Sequence, residues 1–171
     1  IKKHHGQAFI ICPLIEESEK KMMKNVRAAT KEYEKLKKEA FPHLKLALLH
    51  SQLKGEKKDK VIKKFNQGKI DILVATPVVE VGIDIPNAII MVIEGAHRFG
   101  LAQLHQLRGR VGRGEKQSYC LLFAPSGAGK KSRQRLKILE KTNLGFELAQ
   151  KDLEQRGPGK IFGIAQHGFV Q

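Results

Sequence analysis

Two arginines three residues apart, Arg110 and Arg113, stand among glycines in the run QLHQLRGRVGRG, from Gln103 to Gly114. A guanidinium is a planar fork of N–H donors that matches phosphate oxygens, so such a pair suits the charge that develops on a transferring γ-phosphoryl group. On a helix the two side chains would share one face. Gly109 and Gly112 each cost a helix about 1 kcal/mol relative to alanine. Close approach of another backbone or of a nucleotide is therefore expected at them. The plainer reading of an arginine-rich segment is a basic, solvated helix, on which glycines do not belong.

A second segment, VATPVVEVGIDIPNA from Val74 to Ala88, lies upstream. The apolar run from Ile70 to Ala75 reads as a buried strand that Thr76 and Pro77 bound. Thr76 then lies at a strand's carboxyl end, where open α/β sheets bind their ligands. Hydroxyls and helix N-termini favour phosphate, so Thr76 and the helix expected after it are candidates for contact with a DNA backbone. Gly82 and Asp84 follow in a loop that would bring a carboxylate to a ribose hydroxyl. Taken alone, Asp84 reads equally as a turn aspartate bonded to its own backbone.

Together these segments resemble motifs V and VI of the superfamily-two helicases. Motif VI has the form Q-x-x-G-R-x-x-R, and Gln106, Gly109, Arg110 and Arg113 occupy its places. More narrowly, the chain resembles the RecG-type branched-DNA helicases over nearly its whole length. CPLIEESE at Cys12 to Glu19, IEGAHRFGLAQLHQLRGRVGRG at Ile93 to Gly114 and DLEQRGPGKIFGIAQHG at Asp152 to Gly168 carry that likeness. The transcription-repair coupling translocases share the RGRVGR block, but they usually have Tyr at His105, Ser at Gly114 and Ala at Pro158. A third reading, a non-catalytic nucleic-acid-binding module, rests on charge alone.

The resemblance implies a RecA-like α/β fold, an ATP-dependent motor, and branched or duplex DNA as partner. It places Gln106, Arg110 and Arg113 at the reacting phosphate, and Gly82, Asp84 and Gly109 beside the nucleotide. His50 and Thr76 fall to DNA contact, and Arg135, Arg156, Gly157 and Gln166 to a translocation motif formed by a helical hairpin and loop. His50 and Ser51 match a position that usually reads His-Gly, so Ser51 departs from the pattern, as do Gly95 and Lys160. ATP and Mg²⁺ would be held mainly by a first motor domain of the same polypeptide, alongside a branch-recognition domain, in a protein that works as a monomer. This chain carries neither G-x-x-x-x-G-K-[ST] nor an acidic D-E-x-x box. SGAGKKS imitates the former, yet the first glycine would fall at Ala124 and the hydroxyl residue at Lys131. The chain is thus expected to be a C-terminal helicase fragment, inactive as an ATPase by itself.

The elements that must position these residues follow from hydrophobic periodicity. Strands are expected at Phe9–Cys12, Lys45–His50, Ile70–Ala75, Ala88–Ile93 and Ser118–Ala124, with helices between most of them. That alternation predicts a parallel sheet with helices on both faces. From Glu16 to Ala40 charged residues alternate with Met22, Val26, Tyr33 and Leu36, as in an amphipathic helix. After Pro125 the composition changes, and Lys131–Thr142 and Phe146–Leu153 are expected to pair as a helical hairpin joined near residues 143–145. The division is therefore 1–125, a second RecA-like domain, and 126–171, the hairpin and loop.

Composition suits the same partner. Among 171 residues, 32 Lys and Arg against 17 Asp and Glu leave a net charge of +15, and the pI is about 9.9. A polyanion such as nucleic acid fits that balance. No stretch matches a membrane helix or a secretory signal, so a cytoplasmic protein is expected. Cys12 and Cys120 have neither metal-ligand nor disulfide spacing and read as reduced core thiols, with no metal site.

Overall fold

The computed structural model describes residues 1, 6–13, 19–77, 85–142, 144–145, 147–148 and 150. Five strands form one parallel sheet: β1 (Gln7–Ile11), β2 (Leu46–Leu49), β3 (Ile72–Ala75), β4 (Ala88–Ile93) and β5 (Tyr119–Leu122), in the order β2-β3-β1-β4-β5. Each expected strand is present: β4 has the expected bounds, β2, β3 and β5 are one or two residues shorter at one or both ends, and β1 begins two residues earlier and ends one earlier. β1 and β3 lie inside the sheet and are buried at every residue. Their runs QAFII and ILVA therefore carry no polar alternation, as expected of strands covered on both faces.

Helices α1 (Glu19–Lys35), α2 (Gly55–Asn66), α3 (Leu101–Arg108) and α4 (Lys130–Lys141) flank the sheet. α1 runs on through one wide turn at Leu36–Ala40, closed by Phe41 N–H donating to Leu36 O at 2.7 Å. The first part of the expected helix, residues 16–18, lies outside the described residues.

Alternate strand residues serve two apolar layers. Ala8, Ile10, Ile72 and Val74 face α1, where Ala29 is buried against them with Tyr33 and Leu36. Phe9, Ile11, Leu73, Met91 and Ile93 face the other way, onto Phe65 of α2, Leu101, Leu104 and Leu107 of α3, and Leu139 of α4. The rings of Phe9 and Phe65 meet edge to face with centroids 5.1 Å apart. Gln7 is a buried polar residue at the mouth of β1. Its Nε2 donates to Phe65 O at 2.7 Å and Ile70 O at 2.6 Å, which closes the carbonyls between α2 and β3. Toward β5 the α1-side cover thins, and Tyr119, Leu121 and Phe123 are exposed.

Candidate functional site

The carboxyl ends of the strands are level. Ile11 pairs with Ala75 and with Ile93, Leu49 with Ala75, and Leu122 with Ile93. The next residue of each strand therefore stands on one edge of the sheet, which sets His50 beside Thr76. Thr76 N–H donates to Leu49 O at 3.2 Å and ties the two strand ends together. Thr76 is 2% exposed, and neither its Oγ1 nor His50 Nδ1 has a hydrogen-bond partner among the described residues. Buried polar atoms left so are uncommon, and at the carboxyl edge of a parallel sheet they are candidates to meet a ligand. Burial, and then Lys58, lower the His50 pKa from its ordinary value, so the imidazole there is neutral at pH 7.

The arginine run differs from expectation in one respect. α3 ends at Arg108, so Arg110 and Arg113 do not share a helix face; they sit in the turn that follows. Gly109 N–H still donates to His105 O at 3.0 Å, but Arg110 N–H donates to Leu107 O at 3.0 Å and Val111 N–H to Arg108 O at 3.3 Å, a tightening that ends the helix. The chain then reverses at Gly112, whose φ is +78° and where an added Cβ would run into Ser118 Oγ. No other backbone approaches Gly109 closely among the described residues, since a Cβ there would meet only the carbonyls of Gln106 and His105 in its own helix, at 3.5 Å. A close approach does occur at Gly114, where a Cβ would lie 3.2 Å from Pro86 O.

That contact joins the two sequence segments. Gly114 follows Arg113, and Pro86 is two residues after Asp84, so the arginine turn lies against the end of the loop that bears the candidate ribose ligand. Gly82 and Asp84 themselves lie outside the described residues. Arg113 is exposed and its Nε donates to Gly109 O at 3.0 Å; Arg110 is half-buried and Gln106 exposed. Two guanidiniums on an exposed turn are a donor set that fits a phosphoanion. Among the described residues no group of three His, Cys, Asp or Glu side chains could hold a metal ion, and no helix is long and apolar enough to cross a membrane.

Beyond β5 the chain turns at Ser126–Gly127, where an Arg133 guanidinium N–H donates to Ser126 O, and enters α4. Arg135, on α4, is half-buried, and its Nη2 donates to His97 O at 2.6 Å. α4 ends at Thr142, whose hydroxyl accepts from Leu144 N–H at 3.3 Å and donates to Glu147 Oε2 at 2.7 Å. Gly145, Glu147, Leu148 and Gln150 are helical, and Leu148 is buried in the core, as the start of a second hairpin helix. Residues 151–171, with Arg156, Gly157 and Gln166, lie outside the described residues. Among the described residues both cysteines are free, Cys12 buried and Cys120 partly buried, and burial pushes Cys12 up to about 12 and Cys120 up to about 11.

The sequence reading passed over Arg108. It is a variable place of the motif, yet it is half-buried and makes three hydrogen bonds. Its Nη1 donates to Leu139 O at 2.6 Å and Thr142 O at 2.9 Å, and its Nη2 to His105 Nδ1 at 2.9 Å.

Known proteins share this architecture. The chain is 53% identical over 164 residues to the ATP-dependent DNA helicase RecG of Thermotoga maritima, which covers 96% of this chain and 20% of that protein. It is 50% identical over 171 residues to RecG of Bacillus subtilis, covering 99% of this chain and 24% of that one. It thus spans about a fifth to a quarter of the length of these relatives. A structure of RecG bound to a three-way DNA junction superposes with a TM-score of 0.73 at 48% identity, over 91% of this chain and 19% of that one. S. cerevisiae Dbp5 bound to RNA and ADP BeF3 shares the fold, with a TM-score of 0.59 at 24% identity over 81% of this chain and 33% of that one. The fold is the RecA-like sheet of helicase C-terminal domains. The helicase conserved C-terminal domain model matches residues 1–115, and the chain belongs to that family.

Proposed function

We propose that this chain is the second motor domain of a RecG-type helicase, which uses ATP to unwind or remodel branched DNA such as stalled forks and Holliday junctions in recombination and repair. The observation that carries the reading is the exposed turn bearing Arg110 and Arg113, seated by Gly114 against Pro86 at the end of the Asp84 loop. Identity near one half to RecG proteins across almost the whole chain supports it.

In this reading ATP supplies the free energy of phosphoryl transfer, and it is held with Mg²⁺ mainly by a preceding domain of the same polypeptide. Arg110 and Arg113 donate to γ-phosphoryl oxygens when the two domains close, Gln106 on the last turns of α3 orients the reacting group, and Asp84 accepts from the ribose. Gly109 and Gly82 allow the backbone to approach the nucleotide. Thr76 Oγ1 and His50 at the level strand ends meet DNA phosphates, which would satisfy the buried polar atoms left without partners there. Opening and closing then moves the hairpin, with Arg135, Arg156, Gly157 and Gln166, along duplex DNA. Arg135 does so from an anchored position, since its guanidinium is bound to the carbonyl of His97.

The test is ATP hydrolysis by the full-length protein on forked DNA, compared with Arg113→Ala and with residues 1–171 alone. The expected result is an active parent, a loss of about 10³-fold in turnover on substitution, and a silent fragment. Hydrolysis by the fragment, or an unaffected variant, would remove the arginine assignment. DNA binding without fork unwinding would leave a binding module.

A further inference from the structure

We propose that Arg108 is a positioning residue that joins the turn carrying Arg110 and Arg113 to the helical hairpin, so that displacement of those arginines moves the hairpin. The inference rests on the motor-domain reading above and names a residue to which that reading assigns no role.

Three elements meet at this side chain. Its backbone belongs to the last turn of α3, and Arg108 O accepts from Val111 N–H at 3.3 Å, within the turn that presents Arg110. Its guanidinium reaches the other way, to Leu139 O and Thr142 O at the carboxyl end of α4. The last carbonyls of a helix have no partner within it and carry the negative end of its dipole, so a cationic fork is well suited to hold them. The third bond, to His105 Nδ1, fixes the imidazole with Nε2 toward the second hairpin helix, where a Cβ on Gly145 would stand 3.0 Å away. Main chain on one side and side chain on the other thus link the arginine turn to both arms of the hairpin without an intervening loop.

An ordinary helix cap would not need this address. A lysine reaching from solvent can hold one terminal carbonyl, whereas Arg108 spans two carbonyls and an imidazole from a point two residues before Arg110. The geometry therefore transmits a shift of the turn rather than only closing a helix end.

The experiment uses the full-length protein with Arg108→Gln, Arg108→Lys and Gly145→Ala, and reads DNA-stimulated ATP hydrolysis and base pairs unwound per ATP separately, with thermal melting as a control. Hydrolysis is expected to persist while unwinding per ATP falls about tenfold in Arg108→Gln. Arg108→Lys, which keeps the charge but not the fork, is expected to recover only part of it. Gly145→Ala disturbs the joint from the hairpin side and is expected to lower the same ratio; it serves if Arg108→Gln does not fold. An unchanged ratio in folded variants, with hydrolysis and unwinding falling together or not at all, would reduce Arg108 to a helix cap. A natural-sequence parent that hydrolyses no ATP on forks would instead sink the motor-domain reading, and this inference with it.

Discussion

Gly112 shows how a single residue sets the aim of the arginine pair. Its φ of +78° is costly for any residue with a Cβ, and Ser118 occupies the space that a side chain would need. Gly112→Ala is therefore expected to lower the stability of this chain by about 1–2 kcal/mol, read as a lower denaturant midpoint at unchanged slope. His105 gives the turn a pH dependence. Burial, then Arg108, lower its pKa from the ordinary 6.5. A proton on Nδ1 would face the N–H of Arg108, so the joint holds the neutral ring. The folded state binds this proton less readily than the unfolded chain, so the stability it contributes is complete above about pH 6.5 and is lost as pH falls from there toward the folded pKa. His50 acts with the same sign. Melting curves between about pH 7 and pH 5 should therefore show falling stability, with a shallower slope in His105→Gln. An equal slope in that variant would assign the pH dependence elsewhere.

The helices were legible in outline and misread at their ends. Leu101, Leu104 and Leu107 recur at helical spacing, all three are fully buried, and α3 could be placed from them. Its stop at Arg108 has a local signal in Gly109, a residue type favoured just past a helix end, but only the Gly112 reversal against Ser118 decides where the arginines point. Arg135 is a similar case: a cation on an amphipathic helix, which by pattern alone belongs in solvent, is half-buried and holds His97 O. Truncation to Arg135→Ala removes a hydrogen bond from a charged donor and leaves that carbonyl without it. We expect a loss of about 1–2 kcal/mol, taken toward the low end because the site is partly solvated. Denaturant unfolding of this chain measures it, and no loss would mean that water replaces the guanidinium.

At the scale of the molecule, charge points to a polyanion. With a net charge of +15, binding of duplex DNA by this chain should weaken steeply with salt, in proportion to the number of phosphates it neutralises, and should differ little between unrelated duplexes. A flat salt titration would place the charge away from the DNA. Tyr119, Leu121 and Phe123 remain exposed along β5, beside an open apolar groove of about 520 Å³ lined by Ile10, Phe41, Leu44, Ile90 and Val92.

The layers of the fold are legible in the hydrophobic pattern of the chain. Short apolar runs such as ILVA and AIIMVI, rich in β-branched residues and bounded by turn signals, read as buried strands, the basic composition suits an anionic partner, and Gln106, Gly109, Arg110 and Arg113 carry the resemblance to the family. Tertiary structure alone decided what touches what. His50 and Thr76 are 26 positions apart and become neighbours only because β2 pairs with β3 in register. Gly114 meets Pro86, and Arg108 reaches the end of α4, through packing of segments far apart along the chain. Local pattern encodes burial, which depends on near neighbours. Contacts between distant side chains depend on where the sheet order β2-β3-β1-β4-β5 sets each strand end, and no window of sequence contains that information.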